Sequence, residues 1–193
     1  MNFEKHIQEL IEKKWTFVDN FLTFDFCEEL IKECNQLHLK KAQIGQGTNK
    51  SFHPDIRNDS IFWLDDFNLS ELQKKYILKA NTIKDVVNRE LYLGLKEFEC
   101  HYARYDHGNF YKKHTDQFQG NNARTLTLIT YLNTPESGGE LVIYKGNSDE
   151  IDAIVTPKTG LMVCFISDQL YHEVKPTKDL RYSLTGWFKN KIS

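Results

Sequence analysis

Between residues 98 and 188 the chain is a succession of short β-rich runs, and this narrows its fold more than any other feature. The runs cover residues 98–105, 125–132, 140–144, 151–155, 161–166 and 180–188, with turn residues between them. Strands this short cannot each bury an apolar face alone, so they predict a sandwich or jelly-roll closed over a common core. The preceding residues read differently. Residues 4–14 are charged and amphipathic, residues 15–22 resemble a strand and turn, and Thr23 or Asp25 can cap a helix running to about Leu37. From Lys40 to Lys50 the chain turns polar and Gly-rich, which predicts a loop. Asn68 or Ser70 can cap a long helix to roughly Leu91, in which Leu72, Tyr76, Leu78, Ile83, Val86 and Leu91 approximate helical spacing. The change of pattern near Gly94 is gradual and no repeat is present. The expectation is therefore one domain over residues 1–193, with 1–94 a mainly helical support and 95–189 the β core.

The bulk numbers remove several classes of partner. With 40% apolar and 27% charged residues the chain is too apolar for a disordered one, and a net charge of −2 makes no electrostatic case for nucleic acid or an anionic membrane. No apolar run approaches the roughly 20 residues that span a bilayer, and the polar start Met1-Asn2-Phe3-Glu4-Lys5 lacks a secretory apolar region. Cys27, Cys34, Cys100 and Cys164 form no CxxC pair, and two lie in apolar runs, so buried free thiols and a cytoplasmic location are expected.

His114 and Asp116 are two residues apart, which on an extended strand puts imidazole and carboxylate on one face. Two His and one carboxylate on one face of a metal leave coordination positions open, as in non-haem Fe(II) oxygenases. Seven His and 27 acidic residues in 193 make about one His-x-acid pair expected by chance. A rival, His53-Pro54-Asp55, does occur. Pro54 confines that segment to an edge or loop, and its polar surroundings read as exposed surface. His172 follows an apolar strand. Nine residues later Arg181 opens an alternating segment with Leu180, Tyr182, Leu184 and Phe188 on one face and Arg181, Ser183, Thr185 and Trp187 on the other. If the second face points inward, Arg181 needs an anionic partner. A dicarboxylate cosubstrate supplies one; a protein Asp or Glu, or an exposed edge, remains open on the strand alone.

The stretch Arg104-Tyr105-x-x-Gly108-x-x-Tyr111-x-x-His114-x-Asp116, then Tyr131-Leu132-Asn133, Gly138-Gly139-Glu140-Leu141, Pro157-x-x-Gly160, His172-x-Val174 and Arg181-Tyr182-Ser183-x-Thr185-x-Trp187, resembles the 2-oxoglutarate- and Fe(II)-dependent prolyl 4-hydroxylase family in order and spacing. Within it the likeness is greatest to the oxygen-sensing, hypoxia-inducible-factor prolyl hydroxylases and their bacterial relatives. Residues 55–63 look like the loop that closes over a substrate proline there. The resemblance implies a mostly β fold with supporting helices: a double-stranded β-helix of jelly-roll or cupin type packed against N-terminal helices. It implies Fe(II) on His114, Asp116 and His172, and 2-oxoglutarate and O2 as cosubstrates, with ascorbate an optional reductant. Arg181 and Tyr131 would take the distal carboxylate, with Tyr105 near the metal-bound end. Arg124 and Trp187 would line the substrate approach, and Arg57 and Asp59 would lie in the mobile loop. The implied partner is a peptide or protein carrying a proline.

Alternatives stay open at this point. A free amino acid or small metabolite could be the substrate, and a catalytically silent module could keep the fold. A nucleic-acid demethylase lacks the basic excess, and a zinc hydrolase gives Arg181 no reason for its place. His101 and His107 are expected to be structural or exposed, and Gly138-Gly139 reads as a turn.

Overall fold

A computed structural model describes residues 3–45, 51–117 and 124–190; part of the loop expected before Lys50, residues 46–50, lies outside them. The order of elements is α1 (Phe3–Lys13), β1 (Trp15–Val18), α2 (Phe24–Cys34), β2 (Lys40–Lys41), β3 (Ser60–Trp63), α3 (Glu71–Leu91), β4 (Glu97–Tyr105), β5 (Tyr111–His114), β6 (Arg124–Tyr131), β7 (Leu141–Tyr144), β8 (Ile151–Val155), β9 (Met162–Ile166), β10 (Tyr171–Val174) and β11 (Arg181–Lys189). They form a seven-stranded sheet in the order β1-β9-β6-β11-β4-β3-β2 and a four-stranded sheet in the order β5-β10-β7-β8. All the pairings are antiparallel. This is the jelly-roll that the short alternating runs predict.

Period-2 alternation on the central strands splits the core in two. Leu126 and Leu128 of β6, Met162 and Cys164 of β9, and Tyr182, Leu184 and Phe188 of β11 pack with Leu10, Leu30, Tyr76, Ala80, Ile83 and Val87 of the helices. The intervening residues, Ile129 and Tyr131 of β6 with Val163 and Phe165 of β9, face inward with Ala103, Tyr105, Leu141, Ile143 and Val174. The helices thus cover one face of the large sheet, and the small sheet closes over the other.

The helix caps follow from local chemistry. The Thr23 hydroxyl accepts from the Phe26 N–H at the start of α2. Ser70 and Gln73 form a reciprocal capping box at the start of α3. The four thiols are free and buried, and no helix among the described residues is long and apolar enough to cross a membrane.

Several expectations need correction. α2 ends at Cys34, three residues before Leu37. Leu78 is exposed, whereas Gln73, Tyr76, Ala80, Ile83, Val86 and Val87 form the buried stripe of α3. Leu78 lies two residues, or roughly 200°, round the helix from Tyr76, on the far side. Lys40–Lys41 and Ser60–Trp63 are strands extending the large sheet next to β4, where a loop was expected at both places. Leu180 is exposed just before β11 begins.

Leu128→Ala, at a fully buried site between sheet and helices, should cost about 2–5 kcal/mol in urea unfolding. Leu78→Ala should stay within about 0.5 kcal/mol of wild type, because its side chain already lies in solvent.

Candidate metal centre

His114 is the last residue of β5 and His172 the second of β10, and the two are register partners in the small sheet. Asp116 is not on the strand: β5 stops at His114, and Asp116 sits in the bend that follows. Convergence therefore comes from the bend after β5, and not from two positions on one face of a strand. The ligand atoms of His114, Asp116 and His172 all lie within 4.8 Å of one another. Asp116 Oδ1 is 3.5 Å from His114 Nε2 and 3.7 Å from His172 Nε2.

Each imidazole is oriented from behind. His114 Nδ1 lies 2.7 Å from the Lys112 carbonyl and His172 Nδ1 lies 3.2 Å from the Leu170 carbonyl. A carbonyl only accepts, so Nδ1 carries the proton and Nε2 offers its lone pair at the centre. Burial, together with His114, pulls the His172 imidazole down to about 4, against the opposing pull of Asp116. Burial alone would push the Asp116 carboxyl up, but His172 and His114 beside it hold it well below the usual carboxylate range. Two imidazole nitrogens and one carboxylate are the donor set that suits non-haem Fe(II) with open positions. Tyr111 stacks on His114 at 3.5 Å between ring centroids, and the Arg57 guanidinium lies 4.3 Å from the Tyr111 ring.

Arg181 opens β11, opposite Tyr105 of β4. It is 1% exposed, and its guanidinium lies 4.7 Å from the Tyr105 ring and 4.8 Å from the Tyr131 ring. No carboxylate of the described residues pairs with it. Arg181 Nε, Tyr131 Oη, Ser183 Oγ and Trp187 Nε1 are all buried without a hydrogen-bond partner among the described residues. Ser183 is the register partner of Tyr131, so an uncompensated cation and several orphaned polar atoms gather on two paired strands. Such a group is costly in a folded protein, and an anion with hydrogen-bonding oxygens is the chemistry that would satisfy it.

The remaining expected site residues lie beyond this. Arg124 bonds to Glu99 at 2.7 Å and stacks on Trp187 at 3.6 Å. Arg57 donates twice to Asp59, which is fully buried, at 2.8 and 2.6 Å. His101 has the structural one of its two expected roles: it is 3% exposed and packs against Trp63 and Trp187. His107 and His53 are exposed, and His53 lies outside the metal-competent cluster.

Two features escaped the sequence reading. Gly139 has φ +73°, and a Cβ there would lie 2.8 Å from Arg181 Cδ, so this glycine gives the arginine its passage and is more than a turn residue. Thr127 donates to Asp116 Oδ2 at 2.9 Å. Its sequence signal was its place on the same strand face as Tyr131.

Comparison with known proteins agrees with this geometry. The profile of the "2OG-Fe(II) oxygenase superfamily" matches residues 100–189. A prolyl-4-hydroxylase of Pseudomonas putida is 31% identical, with 97% of this chain and 98% of that one superposed at a TM-score of 0.85. A prolyl hydroxylase from Trichoplax adhaerens, solved in complex with a hypoxia-inducible-factor oxygen degradation domain peptide fragment, shares the fold at 22% identity, with 97% and 88% coverage and a TM-score of 0.82. A hypoxia-inducible factor prolyl hydroxylase of Caenorhabditis elegans is 28% identical over 97% of this chain, which spans only 28% of that protein's length. The fold and donor set define the class of 2-oxoglutarate- and Fe(II)-dependent dioxygenases, whose cosubstrates are 2-oxoglutarate and O2. Within that superfamily the chain belongs to the prolyl 4-hydroxylase family.

Burial, with Arg57 nearby, brings the His101 imidazole down to about 4 from its ordinary 6.5. The unfolded chain therefore takes up a proton near pH 6.5 that the folded one refuses until about pH 4. His101's contribution to stability is complete above pH 6.5 and is lost as pH falls towards 4, by up to about 3 kcal/mol. In urea midpoints measured from pH 7 to 4.5 on metal-free protein, His101→Phe should remove about one proton's worth of the slope, leaving that of His172. An unchanged slope would mean that His101 is not buried in its neutral form.

Proposed function

We propose that the protein hydroxylates a peptidyl proline at C4 in an intracellular protein. His114, Asp116 and His172 hold Fe(II), and the cosubstrate is gripped by the residues around Arg181. The single observation that carries the cosubstrate assignment is the buried Arg181 guanidinium with no carboxylate of the described residues beside it. Arg181 binds the distal carboxylate of 2-oxoglutarate through paired N–H donors, and the Tyr131 hydroxyl donates to the same group. Tyr105, across the register from Arg181, walls the cosubstrate nearer the metal. Bound together, Fe(II) and 2-oxoglutarate supply the oxidation: one atom of O2 ends in succinate as CO2 leaves, and the other enters the substrate as hydroxyl.

The protein's own part is orientation and exclusion of water. Backbone carbonyls hold both imidazoles in the tautomer that binds metal. The loop carrying Arg57 is tied to β5 by a bridge between Arg57 and Tyr111 and by the Lys112 N–H donating to the Ile56 carbonyl. The exposed Trp63 tilts against the buried Trp187, on which Arg124 stacks while paired with Glu99, an aromatic group suited to a proline ring. The bound peptide in the Trichoplax adhaerens relative and the prolyl hydroxylase relatives support proline over a free amino acid, and the buried free thiols suit a reducing compartment.

Under anaerobic conditions, Fe(II) and 2-oxoglutarate should give a visible charge-transfer band and stabilise the fold, by about 2.7 kcal/mol at 100 times the dissociation constant. Arg181→Ala should lose both the band and most of the shift while still binding metal; normal 2-oxoglutarate binding by that variant would overturn the assignment. Succinate release should be stimulated by proline peptides. Stimulation by free amino acids alone would move the substrate to a small metabolite, and no turnover with any of them would leave a silent module.

A further inference from the structure

We propose that Thr127 and Ser167 form a one-way hydroxyl relay that positions Asp116 to offer the metal a single carboxylate oxygen. The proposal rests on the metal reading above and assigns a role to two residues outside the ligand set.

Thr127 lies in β6 and Ser167 directly follows β9, and both are fully buried. Thr127 Oγ1 is 2.9 Å from Asp116 Oδ2 and 2.8 Å from Ser167 Oγ. A hydroxyl has one hydrogen, and an ionised carboxylate can only accept. Thr127 therefore spends its hydrogen on Asp116, and the Ser167 hydroxyl must donate into Thr127. The direction is settled by chemistry alone: Ser167 to Thr127 to Asp116. Ser167 is itself anchored, its N–H donating to the Thr125 carbonyl at 3.1 Å.

The two oxygens of Asp116 are thereby divided. Oδ1 faces the Nε2 atoms of His114 and His172, and Oδ2 is held by the relay from the large sheet. A carboxylate released from Thr127 can rotate and offer both oxygens to a cation, filling a position that the cosubstrate needs. The imidazoles are braced by the backbone carbonyls of Lys112 and Leu170, which no substitution removes. Of the three ligands, Asp116 is the one braced by side chains, Thr127 of β6 and Ser167 just after β9. Thr127 and Ser167 are thus positioning residues acting through Asp116.

Mn(II) titration of the metal-free protein by calorimetry tests the relay. Thr127→Val keeps the shape and removes the donor, and should weaken Mn(II) binding about 10- to 100-fold. The Mn(II)-loaded variant should also bind 2-oxoglutarate more weakly. Thr127→Ser should restore both affinities. Ser167→Ala leaves the Thr127 bond in place and should give a smaller but measurable loss. Thr130→Val is the control: Thr130 is equally buried on the same strand, but bonds to Tyr76 in the helix layer, so it should lose stability and keep its Mn(II) affinity.

Wild-type affinity in Thr127→Val, or no rescue by Thr127→Ser, would overturn the relay. An equal loss in Thr130→Val would reduce the effect to general destabilisation and overturn it too. If Thr127→Val does not fold, Ser167→Ala decides, and an unchanged affinity there refutes the relay. A wild-type protein that takes up no Mn(II) at all would instead sink the metal reading on which the relay stands.

Discussion

β11 cannot set its two faces independently, and most of the molecule hangs on this. It lies in the interior of the large sheet, paired with β4 from Arg181 opposite Tyr105 to Lys189 opposite Glu97, and with β6 on its other edge. That single register sends Tyr182, Leu184 and Phe188 into the helix layer. It also sends Arg181, Ser183, Thr185 and Trp187 to the opposite face. A slip of one residue would expose the apolar row to the site and bury Arg181 under the helices. The large apolar core therefore stabilises the polar row as a side effect of its own packing. Gly186 tightens the arrangement, because a Cβ there would meet Phe98 and the Glu99 carbonyl at less than 3 Å.

The polar row would be costly in an ordinary core. An arginine 1% exposed, with two tyrosine rings and no carboxylate of the described residues for company, is the charge that the proposed cosubstrate would balance. The metal centre is built on the opposite logic. There the carboxylate is present, both imidazoles turn Nε2 towards it, and each ligand is braced from outside the cluster. The aromatic group of Trp63, His101 and Trp187 lies towards the end of β11 away from Arg181, with Arg124 bound to Glu99 and stacked on Trp187. Arg181, Tyr131, His101, Trp187 and the Thr127 hydroxyl behind Asp116 thus share β4, β6 and β11, while His114 and His172 come from β5 and β10 of the small sheet.

Much of this was legible in the residues. Alternation in residues 180–188 foretold that Tyr182, Leu184 and Phe188 meet the helices, though Leu180 of the same row is exposed. The order His114, Asp116, His172, Arg181 carried the family resemblance before any contact was known. What the reading missed has a common cause. β5 and β10, four residues each, are too short for alternation to show against background. Ser60–Trp63 reads as loop because its partner β4 lies far along the chain. Leu78 groups with Leu72 and Tyr76 by its apolar character, yet at six residues from Leu72 and two from Tyr76 it lies on the far side of the helix and faces away from the core. Gly139 looked like any turn glycine until the arginine side chain was found passing over it.

By itself the sequence determined the local elements, the two-faced strands and the inventory of ligand types, because caps, period-2 alternation and side-chain chemistry are properties of neighbouring residues. Only the tertiary structure decided that Asp116 leaves its strand to meet His114 and His172, that Thr127 and Ser167 stand behind it, and that Arg181 is deprived of a carboxylate of the described residues. Those facts depend on which segments from distant parts of the chain the two sheets bring face to face, and long-range pairing leaves no periodic trace in the residues that make it.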